Sequence, residues 1–147
     1  MITLIFHHDK KDWVSRLIAW FTHAQYTHVA LLIDEGTVLE SSGVGEPQGV
    51  RVVNIYKWQD KHPGAVRRYV HHPDPAKVKE LCLSKVGDGY DWWYLWGYIF
   101  RRNWQSKTRW TCNELITWAC AEAGYPIINM EQAEFLTSQH LYLISQE

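Results

Sequence analysis

Apolar positions fall in short blocks along the chain, and changes in their spacing mark out the elements. "ITLIF" at 2–6 is a continuous apolar run rich in β-branched residues, the pattern of a buried strand. "DWVSRLIAWFTH" then places Trp13, Leu17 and Trp20/Phe21 at helical spacing, with Asp12 available as a cap. "THVALLIDEGTVLESS" holds two apolar runs around Asp34-Glu35-Gly36, which predicts a hairpin. A Gly/Pro loop follows and leads into a strand at about 50–56; "AVRRYV" predicts another. "DPAKVKELCLSKVG" has proline near a helix start, Val78, Leu81, Cys82 and Val86 on one face, and glycine at its end.

The later blocks are more aromatic. "YDWWYLWGYIF" predicts a helix striped by Trp92, Trp96 and Ile99/Phe100. Residues 112–123 predict a helix stopped by Gly124 and Pro126. "HLYLIS" near the end predicts a last strand. The order is strand, helix, strands, helices and a strand, so the expected class is α+β, with an antiparallel sheet packed against helices.

Composition narrows the function classes. A length of 147 residues favours one domain spanning 1–147, and 46% hydrophobic with 21% charged residues is ordinary for a globular chain. The net charge of -1 and the scattered "RR" pairs at 67–68 and 101–102 argue against nucleic acid as a partner. "MITLIFHHDKKDW" lacks a signal-peptide pattern, and no run approaches the roughly 18 apolar residues of a membrane span. Three cysteines cannot all pair with one another, which fits a reducing, cytoplasmic location.

The segment "RWTCNELITWACAEAG" carries the candidate chemistry. Thr111-x-x-Glu114 fits a capping box and sets Cys112 at the first helical residue. Unsatisfied N–H groups and the positive helix end favour a thiolate there and could hold an oxyanion. The alternative is a small buried hydrophobe, the usual fate of free cysteine, and the reading for Cys82 and Cys120. Of eight histidines, His28 opens a strand after a polar turn, a good place to aim a base; a half-buried strand histidine is the plainer reading. Glu40 lies across the hairpin, but a one-residue register change decides whether it shares a face with His28. No HExxH or CxxC occurs, and His23/His28 is a weak ligand pair, so neither metal nor cofactor is expected.

"THVALLID-EGTVLESS" followed far downstream by "WTCNELITWACAEAG" resembles the permuted NlpC-like, papain-like cysteine hydrolases of the YiiX/YebB kind, distant relatives of the lecithin retinol acyltransferase group. That family's Ser/Thr-His pair, later glutamate and Cys-x-Glu-Leu segment correspond here to Thr27-His28, Glu40 and Cys112-Asn113-Glu114-Leu115. "ITLIF…VSRLIAWFT" and "VGDGYD" are also similar, so the resemblance covers most of the chain. It departs in lacking Gly-Asp before the first strand and in its excess of tryptophan at 92–104.

The resemblance implies a circularly permuted papain-like fold and a Cys112–His28–Glu40 triad cleaving an amide or related acyl bond without a cofactor. Tyr90 is the implied side-chain oxyanion donor, with a packed core residue as the alternative. Thr111 belongs to the same oxyanion or substrate-binding edge. Cell-wall peptides, bacterial or phage in context, are the implied substrate, which would require delivery outside the cytoplasm by a phage or secretion route. Acyl-ester chemistry and a non-catalytic binding module are the alternatives. Trp92, Trp93 and Trp96 could meet a membrane interface, or simply pack in the core.

Overall fold

Strand β1 (Ile2–His7) pairs antiparallel on one side with β2 (His28–Asp34) and on the other with β5 (Val66–Val70). Strands β3 (Thr37–Ser42) and β4 (Gly49–Asn54) extend the sheet beyond β2. The order is β4-β3-β2-β1-β5, five antiparallel strands among the described residues. This computed structural model describes residues 1–8, 16, 19–20, 23–45, 47–92, 108–129 and 137–147. The expected helix after β1 with its Asp12 cap, and nearly all of the expected aromatic helix including Trp93 and Trp96, lie outside the described residues.

Strand alternation gives the sheet two apolar faces. Leu4, Phe6, Val29, Leu31 and Leu39 lie on one. Helices α2 (Pro75–Leu83), α3 (Cys112–Glu122) and α4 (Ser138–Ile144) cover it with Val78, Cys82, Leu115, Ile116, Ala119, Cys120 and Leu141. Ile5, Ala30 and Val38 face the other way and meet Ile55 and Trp58 of α1 (Ile55–Lys61). Each such large apolar side chain contributes roughly 1.5–3 kcal/mol when fully buried. A short parallel pair, β6 (Gly89–Tyr90) with β7 (Arg109–Trp110), leads into α3.

Two expected elements differ. The strand expected at about 50–56 stops at Asn54, whose side chain accepts hydrogen bonds from the Tyr56 and Lys57 N–H groups and starts α1. Ile55 and Trp58, three apart, then bury together on the sheet. The strand expected at "HLYLIS" is helix α4, because Thr137 and His140 form a capping box. Gln146, beyond α4, makes a bridge to the sheet at Tyr69. Helix α2 ends at Leu83, leaving Val86 exposed rather than on its buried face.

The β2–β3 hairpin holds the register that the sequence leaves open. Leu31 pairs with Leu39 and Leu32 with Val38, but Asp34 pairs with Thr37, so Ile33 is an extra residue. The bulge sets Glu40 across from Ala30, whose face His28 shares. Continuing the Asp34–Thr37 register instead would set Glu40 across from Leu31, on the opposite face.

Candidate active site

Helix α3 begins where its sequence predicts. Thr111 is extended, and its hydroxyl accepts from the Glu114 N–H while the Glu114 carboxylate accepts from the Thr111 N–H at 3.0 Å. The Thr111 hydroxyl proton also goes to Glu114, at 2.8 Å. Both donors of Thr111 are thus directed at Glu114, so this residue shapes the helix start. Burial pushes the Glu114 carboxyl up to about 7, against the Thr111 hydrogen bonds and with help from nearby Asp91. One more bond fixes this segment: the Ser41 hydroxyl donates to the Trp110 carbonyl at 2.6 Å.

On the other face of β3, Glu40 is buried and fully bonded. Its Oε2 lies 2.7 Å from His28 Nε2 and accepts from the Trp58 indole N–H at 2.7 Å. Its Oε1 accepts from Arg51 Nε at 2.9 Å and Nη2 at 2.8 Å. Although burial works against the charged form, His28 chiefly, then Trp58 and Arg51, hold the Glu40 carboxyl well below the usual range. Arg51 sits directly across from Glu40 on β4, an opposite-charge cross-strand pair.

Strand alternation places His28 on the Glu40 face and helix α3 on the opposite one. They meet because His28 is the first residue of β2, at the end of the sheet. Its ring stacks at 25° to that of Trp58, with centroids 6.3 Å apart, and it lies close enough to Cys112 for the two groups to shift each other's ionisation. Glu40 takes Nε2, which leaves Nδ1 for the thiol. Burial opposes the imidazolium, but the charge and hydrogen bond of Cys112, then those of Glu40, push His28 up to about 10. Burial likewise opposes the thiolate. The His28 charge and hydrogen bond, the Val29 N–H and the Ser138 hydroxyl outweigh it and lower the Cys112 pKa. Ser138 Oγ is 4.0 Å from the sulfur and Asn113 Oδ1 is 3.4 Å from it. The arrangement favours a thiolate–imidazolium pair held from behind by a carboxylate.

The remaining candidates separate by environment. Cys82 and Cys120 are fully buried, and burial pushes each up to about 12. His72 bonds the Cys120 carbonyl through Nε2 and accepts from the Asp74 N–H through Nδ1, a structural role. His140 is spent on its capping box, and His62 Nδ1 bonds the Trp58 carbonyl. His23 is exposed, whereas His28 is half-buried. Tyr90 pairs with Trp110, two residues before Cys112, and its ring packs on Trp92 over Gly43, where a Cβ would come within 2.9 Å. Trp92 also approaches Gln48, Nε1 to Oε1 at 3.4 Å. Among the described residues, no helix is long and apolar enough to cross a membrane.

Arg51, Trp58 and Ser138 are absent from the expected site. A signal for Arg51 exists: a lone arginine within an apolar strand, one hairpin after Glu40. Trp58 and Ser138 reach the site only through tertiary packing. No protein-family model matches the chain, and no curated protein matches it.

Proposed function

We propose that this chain is a cysteine-dependent hydrolase of the permuted papain-like, NlpC-like kind, cleaving an amide or related acyl bond. One observation carries the reading: a thiol at a helix start, lowered in pKa by a neighbouring imidazole whose Nε2 is bonded to a buried carboxylate. Cys112 Sγ attacks the carbonyl carbon, and its proton resides on His28 Nδ1. The carbonyl π pair moves to oxygen, within reach of the N–H groups at the start of α3. As the carbonyl re-forms, the bond to the leaving group breaks and His28 gives that group the proton. Water, deprotonated by His28, then hydrolyses the thioester. Glu40 holds the ring throughout.

Cell-wall peptides are the substrate class we favour, through the resemblance of Thr27-His28, Glu40 and Cys112-Asn113-Glu114-Leu115 to that family. Such a substrate implies delivery beyond the cytoplasm. Purified peptidoglycan and a phospholipid panel, each incubated with the protein and with Cys112→Ala, test the reading by mass spectrometry of the products. New peptide fragments made only by the unmodified protein support it. Fatty-acid release would redirect it to acyl esters, and no product from either would favour a binding module.

A further inference from the structure

Glu40 has no lone pair left for a proton. A carboxylate offers about four acceptor positions, and His28, Trp58 and two nitrogens of Arg51 take them. Arg51 is itself locked. Its Nη1 donates to the Pro47 carbonyl at 2.9 Å and its Nη2 to the Val44 carbonyl at 3.2 Å. The Val44 and Pro47 carbonyls therefore both hold the guanidinium. Gly45, at φ +81°, leaves it room, since a Cβ there would lie 3.3 Å from Nη1. Lysine has one donor head and cannot reproduce this fork.

We infer that Arg51 is a positioning residue for the Cys112–His28 pair, acting through Glu40, with Trp58 as its neutral assistant. This rests on the catalytic reading of Cys112. Arg51 places a fixed positive charge behind Glu40, keeps the carboxylate ionised and prevents it from turning away from His28. The charged and titratable groups around this unit are His28 from β2, Arg51 from β4, Cys112 from α3, His62 at the end of α1, and His7, which pairs with His28 from β1. Loss of Arg51 acts on the thiol in one direction. With His28 already protonated, losing that positive charge, unmasking the negative charge of Glu40 and loosening His28 each disfavour ionisation of the Cys112 thiol.

The test needs no substrate. The rate of Cys112 alkylation by iodoacetamide is followed against pH for the full chain and for Arg51→Gln, Arg51→Lys and Trp58→Phe. Peptide mapping assigns the label, and circular dichroism checks folding. Arg51→Gln should move the acid limb upward by about 1 pH unit, the scale of losing a nearby opposite charge. Arg51→Lys should recover part of that shift, and Trp58→Phe should give a smaller upward move. A purely structural role would lower the melting temperature and leave the limb in place. If Arg51→Gln does not fold, Arg51→Lys and Trp58→Phe decide the matter. A normal unmodified profile that none of the folded variants shifts overturns the Arg51 proposal alone. An unmodified Cys112 that reacts like an ordinary cysteine overturns the catalytic reading and this inference with it.

Discussion

The Ser41 hydroxyl donates to the Trp110 carbonyl at 2.6 Å, one residue after Glu40 and two before Cys112. Consecutive residues of β3 thus serve the two halves of the site. Glu40 points to one face and holds His28; Ser41 points to the other and holds the peptide that leads into Cys112. The register of a single strand sets the distance between them.

Ser41→Ala removes the shorter of two hydrogen bonds to the Trp110 carbonyl, which keeps the Asp91 N–H at 3.3 Å. The expected loss is about 0.5–1.5 kcal/mol of stability, from urea unfolding. Cys112 alkylation should also slow, because the helix start is no longer tied to β3. Unchanged stability and reactivity would show that neighbouring bonds suffice.

The three thiols should differ sharply toward limiting iodoacetamide near neutral pH. Cys112 is favoured as a thiolate by His28, whereas Cys82 and Cys120 are both pushed up to about 12 by burial. Peptide mapping should find the label on Cys112 first. Equal labelling of all three would contradict the helix-start argument.

Cys112→Ala should abolish turnover, and His28→Ala should cost nearly as much, since such residues act as a unit. Glu40→Gln should lose about 10–1,000-fold in kcat/KM, or roughly 1–4 kcal/mol of transition-state stabilisation. The amide has one accepting oxygen and meets the donors of Arg51, Trp58 and His28 together, so its melting temperature should fall as well. Full activity in Glu40→Gln would mean that the carboxylate does not orient His28.

Stability should depend on pH through three groups with different signs. Glu40, depressed when folded, contributes stability that is complete above its ordinary 4.5 and lost as pH falls through its folded value. His28, raised from 6.5 to about 10, contributes stability that is full below 6.5 and lost as pH rises through about 10. Glu114, raised from 4.5 to about 7, makes the folded state hold a proton that the unfolded chain releases, so its contribution falls as pH rises from 4.5 to 7. Glu114→Gln stays neutral and can keep the capping box, so it should remove the Glu114 slope between those values. Urea midpoints at half-unit pH steps measure this; an unchanged slope would place the titration elsewhere.

Much of the site is legible in the chain because its signals are local. Thr111-x-x-Glu114 marks a helix start whatever packs above it, and so places Cys112. His28 at the head of "HVALLI" marks a strand end. The two apolar runs around Asp34-Glu35-Gly36 predict a hairpin, and the apolar blocks predict an antiparallel sheet with helices. The junction at Asn54 and the terminal "HLYLIS" are ambiguous, because short apolar runs suit strand and helix alike and only the caps at Asn54 and Thr137 decide. Tertiary structure alone decided the rest. The extra residue Ile33 selects the register that turns Glu40 toward His28, and no local preference distinguishes the two registers. The sheet must end at His28 for a helix on one face to reach a base on the other. Arg51, Trp58 and Ser138 become partners of the site only when β4, α1 and α4 pack, because hydrogen bonds between such distant residues are specified by three-dimensional proximity, which sequence spacing does not encode.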